Sequence, residues 1–205
     1  MGIAPWSFSK IKSFEQCPKK FYHLKVAKDY KEYIRDGTPL PAKYGYCKDV
    51  LDALMAKSGE KLCELEMGLT ENLEPCGFRD DNVWWRGIAD LVILDKEAKT
   101  AWVIDYKTSK NTRYADKGQL ELMALAVFKH YPEIQFVRGG LVFVVCGELV
   151  TGTYNKPDES KLWSKWLSDY SRMEKAFEKD VWNAHQSGLC KRHCLVTECV
   201  HNGRH

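Results

Sequence analysis

Two apolar-rich segments carry charged residues able to do chemistry: Asp90 within 83–94, and Asp105 and Lys107 within 101–107. The polar stretch Asp95-Lys96-Glu97-Ala98-Lys99-Thr100 between them reads as the turn of a β-hairpin. Antiparallel pairing about that turn sets Asp95 opposite Thr100 and Asp90 opposite Asp105. Opposed residues project to one face with side chains roughly 5 Å apart, and an i, i+2 neighbour shares that face, so Lys107 joins the two acids. Two carboxylates this close repel, and burying them without a counter-charge is costly. Lys107 can neutralise one of them, which leaves a plain buried ion-pair cluster as one reading. The other is a divalent cation, magnesium or manganese, held by both carboxylates with the carbonyl of Tyr106 as a third oxygen donor. Such a cation polarises a phosphate and activates a bound water, while Lys107 positions that water or stabilises developing negative charge. Those are the requirements of phosphodiester hydrolysis. Glu64 and Glu66 share one face of the preceding strand, and Glu66 is the preferred additional ligand.

The surrounding elements follow from periodicity. Ser7 or Ser9 caps a short helix carrying Ile11 and Phe14, and Pro18 fits the first turn of a second helix with Phe21 and Leu24. Residues 29–42, with Asp36-Gly37 and two prolines, read as a loop. Tyr44, Cys47, Val50, Leu51, Leu54 and Met55 recur at helical spacing over 43–57, which predicts one buried face. The period changes to two over 62–69, the first strand. After the hairpin and a basic loop, a helix is expected over 116–131, strands over 136–146 and 149–154 about a turn at Cys146-Gly147, and a long helix over 158–186. Its apolar positions are Leu162, Trp166, Tyr170, Met173 and Phe177. This order predicts an α/β fold, a mixed sheet with helices on its faces. At 205 residues the chain reads as a single domain, 1–205. An N-terminal helical segment covers 1–42, the core 43–157, and a C-terminal helix with a cysteine-rich tail 158–205.

Composition narrows the class. The net charge of only +3 does not announce a nucleic-acid binder, yet lysines crowd the N-terminus, and Lys110, Arg113 and Lys117 follow the proposed active strand. Solvated faces and phosphate contacts are built from the same residues; these three are the candidate DNA contacts. No apolar run is long enough for a transmembrane helix, and the N-terminus lacks the pattern of a secretory signal, so a cytoplasmic protein without a membrane partner is expected. Eight cysteines in such a compartment argue for free thiols or metal ligation rather than disulfides. Cys190, Cys194 and Cys199, interspersed with His193, His201 and His205, suggest a soft-metal site. Cys47, Cys63, Cys76 and Cys146 read as core residues. Trp6, Phe8, Trp84 and Trp85 pack in the core or stack on unpaired bases.

Gly87-Ile88-Ala89-Asp90, then Asp105-Tyr106-Lys107-Thr108, then Gln119 resemble the PD-(D/E)XK nuclease superfamily in its RecB-like exonuclease branch. The opening Ser7-Phe8-Ser9 through Cys17-Pro18-Lys19-Lys20-Phe21-Tyr22 is similar to the helical start of many such domains, so the likeness spans nearly the whole chain. It implies a restriction-endonuclease-like fold and an exonuclease acting on DNA, as in recombination, repair or viral DNA processing; a viral source would make the compartment the host cytoplasm. A recombination or replication partner protein is compatible with that setting. Residue by residue, it implies that Asp90 and Asp105 bind the metal, Lys107 acts on the attacking water, and Gln119 contacts or orients the site. Where the family often has a histidine after a helical glycine, this chain has Lys48 and Asp49 after Gly45, and Asp49 is the candidate substitute ligand. A tyrosine that commonly follows the glutamine is Met123 here. In relatives bearing an iron–sulfur cluster, one N-terminal cysteine joins three near the C-terminus. Cys17, Cys190, Cys194 and Cys199 match that order, though not the usual spacing, and imply a [4Fe–4S] cluster; zinc or no metal are the alternatives. A non-catalytic nucleic-acid-binding or assembly module on the same fold is the competing function, and an RNA-directed enzyme or site-specific endonuclease a third.

Overall fold

A computed structural model describes residues 5–31 and 48–203. The chain divides into two compact units, one of Ala4–Phe8 with Gly37–Lys165, the other of Met1–Ile3, Ser9–Asp36 and Trp166–His205.

The first unit is built on a six-stranded sheet. Its strands are β1 (Glu60–Leu69), β2 (Pro75–Cys76), β3 (Trp85–Asp95), β4 (Thr100–Lys107), β5 (Phe136–Phe143) and β6 (Glu148–Asn155), in the order β2-β1-β3-β4-β5-β6. All neighbours are antiparallel except β4 and β5. A parallel pair needs a crossover, which Gly118–His130 supplies as a helix with Leu120 and Leu122 through Phe128 buried. It presses so closely on the sheet that a Cβ at Gly139 would lie 2.9 Å from Leu120. On the other face Lys48–Met55 forms a helix whose Leu54 packs with Leu91, Ile93, Ile104, Val142 and Val144. Covered on both faces, β3 and β4 are apolar at nearly every position, which explains the runs Leu91-Val92-Ile93-Leu94 and Val103-Ile104. Trp6 joins this unit by an isolated bridge to Trp85, and both indoles are wholly buried.

The hairpin register is the expected one: Asp95 pairs with Thr100, and the ladder runs to Leu91 with Ile104. Asp95 Oδ1 accepts from the Ala98 N–H at 2.9 Å, and Lys99 takes a left-handed φ of 55°, which lets so short a connection close.

The second unit is helical and aromatic. Phe8–Gln16 and Pro18–Phe21 form the two expected helices, the latter capped by Cys17 and continued by a wider turn over Tyr22–Val26. Phe14, Phe21, Tyr22 and Phe177 surround Trp182, whose ring stacks on Phe21 with centroids 6.3 Å apart.

Several expectations need correction. The long helix runs only Glu159–Lys179. Asp180 takes φ 48°, its N–H bonds Phe177, and the Val181 N–H reaches back to Ala176, a left-handed helix stop usually signalled by glycine. Of the positions expected on the buried face of 43–57, Met55 is exposed, and 43–47 lie outside the described residues, as does most of the 29–42 loop. β5 ends at Phe143 rather than 146. Cys63 is exposed, and Cys76 and Cys146 are only partly buried, so none of these three is a core residue. Pro75–Cys76 adds an edge strand that two residues could not announce by periodicity.

Candidate active site

Strand pairing brings Asp90 and Asp105 to the same end of the β3–β4 hairpin, but in a form the register alone does not predict. The ladder stops one step short of them, and the next position is bridged by a side chain: Asp90 Oδ2 accepts the Tyr106 N–H at 2.7 Å. The N–H and C=O of a residue in extended backbone leave from the same strand edge, so the Tyr106 carbonyl is aimed to the same side as its N–H.

The break has a counterpart on β1. Glu64, across from Asp90, takes φ 50°, and the β1–β3 ladder skips that one pair while keeping its register on both sides. The pleat changes phase there. A Cβ on Gly87 would meet Met123 of the Gly118–His130 helix at 2.6 Å, whereas Leu91, of the same parity, packs with Leu54 on the opposite face. A glutamate carries no marker for a left-handed backbone, and this feature has no signal in the sequence.

Beside Asp105 the contacts close on themselves. Lys107 Nζ lies 2.6 Å from Asp105 Oδ2 and donates to Gln119 Oε1 at 2.9 Å, while Gln119 Nε2 donates to Asp105 Oδ1 at 2.5 Å. Gln119 sits in the first turn of the crossover helix. Asp105 is buried, and its Oδ2 is matched by the Lys107 ammonium. Desolvation pushes the Asp105 carboxyl above the ordinary carboxylate range; Lys107 and Gln119 pull it back, and the neighbouring Asp90 adds to the rise. Two carboxylates and a carbonyl aimed to the same edge form an all-oxygen donor set of the kind a hard divalent cation takes.

The other candidates fall elsewhere. Glu66 pairs with Arg79 at 3.0 Å, and Asp49 is exposed in the first turn of its helix beside Lys48. Among the described residues no group of three or more Asp, Glu, His or Cys side chains is disposed to hold a metal ion, so neither acid joins Asp90 and Asp105. Lys107 and Gln119 open onto a cleft of about 450 Å³ that Phe8, Ser109, Lys110, Asn111, Tyr114, Ala115, Asp116, Leu141 and Phe143 also line. Arg113 and Lys117 are exposed on the same 108–117 loop, so Lys110, Arg113 and Lys117 occupy one neighbourhood.

In the helical unit, Cys17, Cys190, Cys194 and Cys199 line one small cavity with His185 and His201. The Cys17 sulfur accepts the N–H groups of Lys20 and His185 at 3.5 and 3.4 Å, and the Cys190 sulfur that of Ser187 at 3.4 Å. The Cys190 thiol in turn donates to the His185 carbonyl at 3.9 Å, and the four cysteines line the cavity without forming a group disposed to hold a metal ion.

A sequence profile of the PD-(D/E)XK nuclease superfamily matches residues 31–199. No curated protein matches the chain. A solved structure entitled "Crystal structure of SSO0001" is similar over 98% of this chain and 89% of that one, at 13% identity and a TM-score of 0.48.

Proposed function

This chain belongs to the PD-(D/E)XK nuclease superfamily, and we propose that it is a divalent-metal-dependent exonuclease of the RecB-like branch that hydrolyses phosphodiester bonds in DNA. The observation that carries the reading is Asp105: a buried carboxylate, braced by Lys107 and Gln119, beside a second carboxylate at a ladder break. Asp90, Asp105 and the Tyr106 carbonyl would hold magnesium or manganese. When bound, the cation polarises the scissile phosphate and lowers the pKa of a water.

The chain's own groups do the rest. Gln119 spans Asp105 and Lys107 and fixes the ammonium relative to the acid. Lys107, a third exposed and facing the cleft, puts a positive charge where charge develops on phosphate oxygens and can orient the attacking water. Lys110, Arg113 and Lys117 supply phosphate contacts along the cleft loop. Cys17, Cys190, Cys194 and Cys199, which line one cavity without being disposed as a metal site, are read as the ligands of a [4Fe–4S] cluster, with zinc or no metal as the alternatives. The profile match draws on both compact units, which supports reading 1–205 as one nuclease domain.

The test is end-labelled single- and double-stranded DNA incubated with the protein and magnesium or manganese, with EDTA as control. Metal-dependent release of terminal nucleotides is expected. DNA binding without metal-stimulated cleavage would replace the nuclease by a binding module. Absorbance near ~400 nm in protein purified without oxygen reports the cluster.

A further inference from the structure

The aromatic side chain most exposed in the cleft is one that the proposed chemistry does not use. Tyr114 is 84% exposed, yet the 108–117 loop that carries it is held at several points. The Arg113 N–H bonds Asn111 Oδ1 at 3.1 Å, the Ala115 N–H bonds the Thr112 carbonyl at 2.9 Å, and Thr112 Oγ1 donates to Glu148 on β6 at 2.9 Å. At the loop's end Tyr154 donates its hydroxyl to the Lys117 carbonyl at 3.2 Å. Asp116, also in the cleft lining, is exposed, and its Oδ1 accepts the Gly118 N–H at 2.9 Å. One side of the ring is covered by Arg113, whose guanidinium carbon lies 5.5 Å from the centroid. The cleft lining therefore brings together the site lysine and glutamine, the cation Lys110, the carboxylate of Asp116 and an aromatic ring backed by a second cation.

A cation for each phosphate and an exposed ring beside it is the pattern by which proteins hold unpaired nucleotides, because every base has a face to stack and no base-specific contact is needed. In a duplex that face is already stacked on its neighbours. We propose that Tyr114 is a specificity-determining residue that stacks on the unpaired base next to the scissile phosphate, so that the enzyme prefers single-stranded DNA. The inference rests on the nuclease reading above and names its substrate form.

The experiment compares wild type with Tyr114→Ala and Tyr114→Trp, using one oligonucleotide labelled at its end and carrying 2-aminopurine, offered single-stranded or annealed. Binding in EDTA is followed by anisotropy and by 2-aminopurine quenching, and cleavage by steady-state kinetics with manganese. For single strands, Tyr114→Ala should weaken binding and raise KM about tenfold or more, with loss of the quenching. Its kcat should stay within about twofold if the ring only binds; Tyr114→Trp should keep both signals, and duplex parameters should not move. Equal KM values for wild type and Tyr114→Ala on single strands, or an equal loss on both forms, would overturn the proposal. If wild type binds and quenches but cleaves nothing, the nuclease reading fails while the stacking site stands.

Discussion

The acid pair and the cysteine cavity of this protein are built in opposite ways. The acid pair is local: Asp90, Asp105 and Lys107 come from one hairpin, with Asp105 and Lys107 inside the β4–β5 ladder, and Gln119 from the helix that follows. The cysteine cavity is assembled from chain ends, Cys17 from the start and Cys190, Cys194 and Cys199 from a stretch with only short turns for support. The sulfurs of Cys17 and Cys190 accept backbone N–H groups from turns rather than from strands. The acid pair is therefore positioned largely by regular secondary structure, whereas the cysteine cavity has little of it for support.

That contrast can be broken most decisively at Lys107. Lys107→Ala should lower kcat by about 10²–10³ with the far-ultraviolet circular dichroism unchanged; full activity in the purified variant would remove the acid site from the chemistry. Gln119→Ala, which loosens the brace without removing charge, should cost less, about 10-fold in kcat, and a loss as large as that of Lys107→Ala would make Gln119 more than a positioning group. For the soft site, Cys190→Ser or Cys199→Ser should abolish the absorbance near ~400 nm and expose 180–203 to protease first, while the sheet unit resists. Simultaneous proteolysis of both units would erase the distinction.

The smallest effect concerns stability. Because burial raises the Asp105 carboxyl, its ionised form costs the metal-free fold free energy at neutral pH, so Asp105→Asn in EDTA should melt at or above wild type. Adding manganese at about 100 times its Kd should stabilise wild type by roughly 2.7 kcal/mol, and the variant by much less. Calorimetry of the two proteins with and without metal reads both outcomes.

How far these features were legible varies from residue to residue. Alternation and the polar turn sufficed for the pairing of Asp95 with Thr100, and the pattern of Gly118–His130 for a buried crossover helix. The same alternation misjudged Glu66, because side-chain parity is reliable only while the pleat is unbroken, and Glu64 breaks it with a left-handed turn of backbone. Asp180 likewise ended a helix that periodicity alone extended to 186.

By itself the sequence determined which strands carry the acids, that Lys107 lies one pleat beyond Asp105, and that Gln119 begins the next helix, since all of these depend on spacing and near-neighbour backbone geometry. Only the tertiary structure decided that Asp90 reaches across to the Tyr106 N–H, that Glu66 turns to Arg79, that Trp6 and Trp85 are core while Tyr114 stands in the cleft, and that Cys17 meets the tail. Those outcomes depend on which surfaces are covered and which hydrogen bonds a ladder break leaves open, and residues far apart in the chain settle both.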